Sequence, residues 1–335
     1  MSKQETILEH LQRQGISRRS FLKFCTLAAS SMALPLSSVS AIADALGAAL
    51  RPKVIWLSAQ ECTGCSETLL RAYDQYPIEK LLLEMISLDY HNTLMAPSGS
   101  AAENSRLESI KDGGHVVIID GSIPLKQNGA WSAVGGRTIL EVIQETVFNA
   151  GLILAVGNCA AFGGLPGAKP NPTDAHGVDD LINTLKKVST SAPLINLPGC
   201  PPIPEVMTGV IVNFIISGGQ APQLDSLKRP LPYYQHVVHD SCSRLGQYQA
   251  GNFAKSFDDE GARQGYCLLD LGCKGTVTFN ACTTQKWNTG LTEAPFNNPN
   301  SPQQATSFPM HSGHGCIGCS EPNFWDRAGG FYKPL

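Results

Sequence analysis

Short continuous apolar runs punctuate the first two thirds of the chain, at 54–57, 81–88, 115–120, 152–156 and 193–197. Between them stand stretches with helical spacing of apolar residues, at 103–111, 137–149 and 178–187, and another follows the last run at 205–217. The 81–88 run fits a strand or a helix equally well. Alternation of this kind predicts an α/β domain over 50–225: a doubly wound parallel sheet covered by helices on both faces. The first run leads into Glu61-Cys62-Thr63-Gly64-Cys65 and then into 66–73, where Ser66 is placed to cap a helix. Past Gly218-Gly219 the periodicity fades into turn-rich sequence. Residues 226–335 therefore read as a second domain with sparse regular structure, held by bound ligands more than by a core.

The N-terminus carries a different signal. Ser17-Arg18-Arg19-Ser20-Phe21-Leu22-Lys23 sets a twin arginine ahead of a modestly apolar stretch at 24–34, with small-residue cleavage options at 41–49. Residues 1–49 therefore read as a twin-arginine signal peptide, of the kind that exports folded proteins. Cys25 falls inside it and is lost with it; lipid attachment there does not fit, because Lys23 and Phe24 stand where small residues are needed. No other stretch has the 18 or more apolar residues of a membrane span. Net charge over the 335 residues is −3, and removing the first 49 leaves 20 basic against 25 acidic residues. With no basic run, nucleic acid is excluded as a partner.

Cysteine spacing supplies the chemistry. Cys62 and Cys65 follow the first predicted strand, Cys159 the 152–156 run, and Cys200 the last. Loops at the carboxyl ends of parallel strands share one edge of a sheet, so these four thiols converge. Four thiolates make a closed soft-ligand site, suited to an iron-sulfur cluster or zinc. The neighbouring glycines 64, 157, 163, 164 and 199 let backbone amides approach the sulfurs. A thioredoxin-like redox pair would explain Cys62 and Cys65 but leaves Cys159 and Cys200 idle. A disulfide framework suits shorter chains with no large core, whereas this one is 42% hydrophobic. In the second domain, His239-x2-Cys242 with Cys267-x5-Cys273 makes one set, and Cys282 with Cys316-x2-Cys319 makes another. Zinc and iron-sulfur remain equal readings of both sets, with His311 or His314 available to complete a tetrahedron.

Five motifs carry a resemblance: Glu61-Cys62-Thr63-Gly64-Cys65, Asp120-Gly121-Ser122-Ile123-Pro124, Pro198-Gly199-Cys200-Pro201-Pro202, Gly272-Cys273-Lys274-Gly275 and Gly313-His314-Gly315-Cys316-Ile317-Gly318-Cys319. Across essentially its whole length the chain resembles the small subunits of nickel-iron hydrogenases. The resemblance implies a flavodoxin-like domain followed by an irregular iron-sulfur domain. It implies a proximal 4Fe-4S cluster on Cys62, Cys65, Cys159 and Cys200, a medial 3Fe-4S cluster on Cys282, Cys316 and Cys319, and a distal 4Fe-4S cluster on His239, Cys242, Cys267 and Cys273. Pro309 would stand where a fourth medial ligand would reach. The nickel-iron centre would lie on a separate large subunit, so no catalytic residue is expected here. Electrons would pass to a cytochrome or iron-sulfur acceptor bound to the membrane, and the chain would be periplasmic, attached to the cytoplasmic membrane through a partner. Glu61 is a candidate for proton movement or for stabilising the helix that follows.

Three departures from the family pattern are visible. The stretch 288–307 is longer than expected; the C-terminal apolar anchor of many relatives does not appear before Leu335; and Gly64 and Gly164 stand where oxygen-tolerant relatives carry cysteines. The rival readings are an exported thiol-disulfide oxidoreductase and a zinc-stabilised binding module. A quinone-reductase component would resemble the first domain but lack the cysteines of the second.

Overall fold

The computed structural model describes residues 6–31, 35–72, 78–285, 313–326 and 333; Pro309, His311 and the 288–307 stretch lie outside them. Its centre is a five-stranded parallel sheet of β1 (Lys53–Ser58), β2 (Ser87–His91), β3 (Val116–Asp120), β4 (Leu152–Val156) and β5 (Leu194–Leu197), in the order β2-β1-β3-β4-β5. That is the flavodoxin-like order, with its switch point between β1 and β3. Alternate side chains feed two cores. Val54, Trp56, Val116, Ile118, Leu152 and Leu154 face one side, where the helix Pro204–Ile216 packs. Ile55, Leu57, Val117, Ile119, Ile153 and Ala155 face the other, against helices Gly99–Asp112 and Ile139–Thr146. Burial on both faces explains why the strands read as unbroken apolar runs.

Local signals set the boundaries. Gly113, at φ 72°, closes the helix Gly99–Asp112. Thr138 and Glu141 form a capping box that starts the helix at Ile139, while Arg137 and Thr138 pair with Ala133 and Val134 in a short hairpin. The expected 137–149 helix is therefore shorter at both ends. The ambiguous 81–88 run divides: Leu81–Met85 is a wide helical turn, Ile86 turns extended at φ −122°, and β2 begins at Ser87. Of the 178–187 stretch, 178–184 is helical, closing as a wide turn at Asp180–Thr184. Ser66 is not a cap. The helix starts at Gly64 because Thr63 takes a left-handed conformation (φ 64°), and Ser66 is buried inside the first turns.

Residues expected as a leader fold into helices Ile7–Arg13, Arg18–Ser31 and Val39–Ala48. Phe21, Cys25 and Ala29, spaced four apart on one helical face, join Ile42 and Leu46 in the core on the Pro204–Ile216 side. Among the described residues no helix is long and apolar enough to cross a membrane. From Leu231 onward the described chain holds only short helical turns and isolated bridges, as the fading periodicity predicts. The Asp225–Arg229 turn, which crosses the expected domain boundary, bonds back to β5: Asn196 N donates to the Lys228 carbonyl at 2.9 Å.

Candidate metal centres

Strand register brings the first four thiols together. Ser58 pairs with Asp120, Asp120 with Val156, and Val156 with Leu197, so the four strands end level and their following loops share one edge. The loops after β1 and β3 are clipped by reciprocal bonds between Gln60 and Ser122, at 3.0 and 3.1 Å. Gly121 permits this approach: a side chain there would meet the Gln60 backbone at 2.7 Å. Cys62 and Cys65 lie on the β1 loop and first helical turn, Cys159 in the turn Gly157–Phe162 after β4, and Cys200 in the loop after β5. Asn158 N donates to the Gly199 carbonyl at 2.8 Å, which fastens the last two loops together.

The electrostatics of this group are those of thiols crowded out of water. Burial pushes Cys65 well above the ordinary thiol range, with further pressure from Asp120, Cys159 and Cys200. Burial likewise pushes Cys159 up to about 11 and Cys200 up to about 12, and Cys62 adds to both. Thiols crowded out of water in this way favour a cation that would take them as thiolates. Asp120, at the switch point, shares a hydrogen bond with the Cys65 thiol; burial lifts its carboxyl to about 7. The sequence offered Asp120 only as part of a motif, yet its carboxyl is in direct contact with the group. Glu61 accepts a bond from Thr63 Oγ1 at 3.3 Å, and burial raises its pKa.

Two of the neighbouring glycines make room for sulfur rather than only for amides. A Cβ on Gly157 would lie 2.5 Å from Cys65 Sγ, and one on Gly164 would overlap the Cys159 side chain. Amides do reach sulfur elsewhere: Leu165 N–H serves Cys159, and Arg244 N donates to Cys242 Sγ at 3.4 Å.

In the second domain, His239 sits in the turn Val238–Ser241 with its ring edge-on to Tyr248, centroids 4.5 Å apart. Cys242, Cys267 and Cys273 act electrostatically on one another. Gly275 lies between Cys273 Sγ and the His239 backbone, 3.6 and 3.7 Å from where its Cβ would be. All four members of the 239–273 set are therefore brought together. Cys282 and Cys316 are buried in the apolar core, and Cys316 and Cys319 act on each other. Cys282 and Cys319 both face Tyr234, whose hydroxyl donates to the Pro198 carbonyl at 2.8 Å. The 282–319 set thus lies between the other two. His314 bonds the Gly315 carbonyl through Nδ1 at 2.7 Å and stacks on Phe257.

Every cysteine is a free thiol, so neither a disulfide framework nor a Cys62–Cys65 disulfide is present. Among the described residues no three His, Cys, Asp or Glu side chains are arranged to hold a single metal ion. The donor chemistry is nevertheless uniform: ten thiols and one imidazole in three groups, the composition that iron-sulfur ligation takes.

Comparison with known proteins follows the same division. Residues 62–214 match the family model of the NADH ubiquinone oxidoreductase 20 kDa subunit, and residues 234–332 match that of the C-terminal region of the NiFe/NiFeSe hydrogenase small subunit. The uptake hydrogenase small subunit of Afipia carboxidovorans is 43% identical over 100% of this chain and 85% of its own. The periplasmic NiFe hydrogenase small subunit 1 of Nitratidesulfovibrio vulgaris is 43% identical, covering 97% of this chain and 96% of its own. Among solved structures, the Ni-Fe-Se hydrogenase from Desulfomicrobium baculatum matches with a TM-score of 0.74 at 31% identity, over 85% of this chain and 100% of that one. The recombinant NiFeSe hydrogenase from Desulfovibrio vulgaris Hildenborough matches with a TM-score of 0.72 at 32% identity, over 84% of this chain and 98% of that one. None of these relatives is a thiol-disulfide oxidoreductase or a zinc-stabilised module.

Proposed function

The chain belongs to the small-subunit family of nickel-iron hydrogenases, and from that premise we propose that its three thiol sets hold three iron-sulfur clusters forming an electron relay. As a member of that family it pairs with a hydrogenase large subunit and is the iron-sulfur component of an oxidoreductase. In this reading Cys62, Cys65, Cys159 and Cys200 hold a 4Fe-4S cluster, Cys282, Cys316 and Cys319 a 3Fe-4S cluster, and His239, Cys242, Cys267 and Cys273 a second 4Fe-4S cluster. When bound, the clusters supply one-electron redox chemistry whose potentials follow from ligand type, hydrogen bonding and burial. The chain's own residues do the rest. Level strand ends fix the first four sulfurs, the Leu165 amide serves Cys159, and the apolar core around Cys282 and Cys316 excludes water.

The observation that carries the reading is the adjacency of the sets: Asn158, beside Cys159, bonds the Cys319 carbonyl, and Cys316 N bonds Cys273 Sγ. A relay needs that adjacency, whereas a redox disulfide or a zinc staple does not. Hydrogen chemistry belongs to the partner, so the chain contributes no catalytic residue. We place the mature protein in the periplasm, exported through residues 1–49 and held to the cytoplasmic membrane by a partner, with a membrane-bound cytochrome or iron-sulfur protein as acceptor. The periplasmic name of the Nitratidesulfovibrio relative supports the location. Metal analysis of the purified two-subunit protein tests the cluster reading. About eleven small-subunit irons per complex, over and above the large subunit's own, with negligible zinc, are expected; stoichiometric zinc would overturn it.

A further inference from the structure

The three thiol sets are stitched together by hydrogen bonds. Cys316 N donates to Cys273 Sγ at 3.3 Å, which joins a residue of the middle set to a sulfur of the outer one. Between the first set and the middle one the tie is the Asn158 side chain, bonded to the Cys319 main-chain carbonyl. The outer junction is a clasp, because Lys274 N donates back to the Cys316 carbonyl at 2.7 Å. Gly315 makes this contact possible: a Cβ there would lie 2.9 Å from Cys273 Cβ and 3.0 Å from its Cα, too close for two carbons. The inner junction is held by Asn158, next to Cys159, whose Nδ2 donates to the carbonyls of Cys319 at 2.8 Å and Glu321 at 3.0 Å.

We propose that the Cys316 N–H···Sγ Cys273 contact is the conducting link between the middle and outer groups, and that Gly315 is the positioning residue that holds it closed. The inference rests on the ligand assignment above. The link offers a continuous route, from Cys316 sulfur along its own side chain and amide to Cys273 sulfur. Electrons tunnel further through bonds than across gaps, so a single short hydrogen bond between ligands is the favoured crossing. Each crossing oxidises one group and reduces the next by one electron. No bond is made or broken, and the proton stays on the amide nitrogen. Electrons enter from hydrogen oxidation on the large subunit and leave to a one-electron carrier. The same contact donates to ligand sulfur, which favours the reduced form and raises the outer group's potential.

Gly315→Ala in the two-subunit protein tests the outer link. The added methyl forces the 315–316 segment off Cys273, so the group on His239, Cys242, Cys267 and Cys273 should shift to lower midpoint potential. Equilibration of the groups after rapid reduction should slow several-fold, while the potential of the first group stays unchanged. Should that variant fail to assemble, hyperfine spectroscopy of the unmodified two-subunit protein exchanged into deuterium oxide should find an amide deuteron coupled to the outer group, and its absence would overturn the link. Clusters intact with potentials and rates unchanged would overturn the wiring alone. Clusters missing from the unmodified protein would overturn the ligand assignment instead.

Discussion

Asn158 donates from Nδ2 to the carbonyl of Cys319 across 161 residues of sequence, at 2.8 Å, from a side chain closed to water. The same nitrogen reaches the Glu321 carbonyl. One side chain therefore couples the loop that carries Cys159 to the loop that carries Cys316 and Cys319. Removing it strands two carbonyls, which costs about 1 to 3 kcal/mol. Asn158→Ala is expected to unfold at lower temperature, with proteolysis of the second domain preceding loss of the sheet. Limited digestion followed by mass spectrometry reads both effects.

A second tie of the 321 segment is ionic. Arg229, 4% exposed, bonds Glu321 Oε1 through Nη1 at 2.9 Å and Asp225 Oδ2 through Nε at 2.7 Å, with the rings of Tyr234 and Phe279 beside its guanidinium. Glu321 in turn accepts from Phe279 N at 2.7 Å, close in sequence to Cys282. Arg229→Met leaves Glu321 buried with its counter-charge gone, a loss of about 3 to 5 kcal/mol. Because Met fills the space without the charge, adding Glu321→Gln should recover part of that loss. Urea unfolding of the two variants measures the difference; equal losses would contradict the pairing.

Acid sensitivity should trace to His91. Its Nδ1 accepts from Thr93 N at 3.1 Å, which leaves the proton on Nε2 facing Ser66 Oγ at 3.3 Å, and burial holds its pKa down at about 4. The unfolded chain protonates this imidazole near the ordinary value of about 6.5, so the stabilising contribution is complete above that pH. As pH falls from about 6.5 toward 4 it is lost, at no more than ~1.4 kcal/mol per pH unit. His91→Gln is expected to flatten the pH dependence of unfolding in this window, as followed by denaturant midpoints. A slope unchanged from the native protein would place the acid-sensitive group elsewhere.

Gly164 has φ 56° and no room for a side chain beside Cys159. Gly164→Ala should shift Cys159 and, with it, the midpoint potential of the first group, seen in a redox titration as one displaced wave with the other two unchanged. On the proposed assignment, with glycine at 64 and 164, the first group has four thiolates, so hydrogen oxidation on an electrode should collapse when oxygen is admitted and recover only on reduction. Sustained current in air would contradict this.

Much of this was legible from spacing. Val54, Val116, Leu152 and Leu194 open runs buried on both faces, and such runs suit interior parallel strands; once they are parallel, Cys62, Cys65, Cys159 and Cys200 must share an edge. What spacing could not reach depends on single conformations. Thr63 adopts a left-handed turn that no propensity favours, and this moves the helix start from Ser66 back to Gly64. Asn158 reads as an ordinary polar neighbour of a cysteine, because its partners come from the far end of the chain. The ligand sets of the second domain carry no periodicity, so their assignment to clusters was available only through family likeness. The fold adds the adjacencies that place the 282–319 set in the middle.

The most direct test of the three-group relay is electron paramagnetic resonance of the purified two-subunit protein during a redox titration. The oxidised protein should show a 3Fe signal integrating to about one spin per small subunit, and reduction should bring in two further 4Fe signals at separate potentials. A protein with no 3Fe signal, or with a single cluster's worth of spins at full iron occupancy, would contradict the assignment of Cys282, Cys316 and Cys319 and the relay built on it.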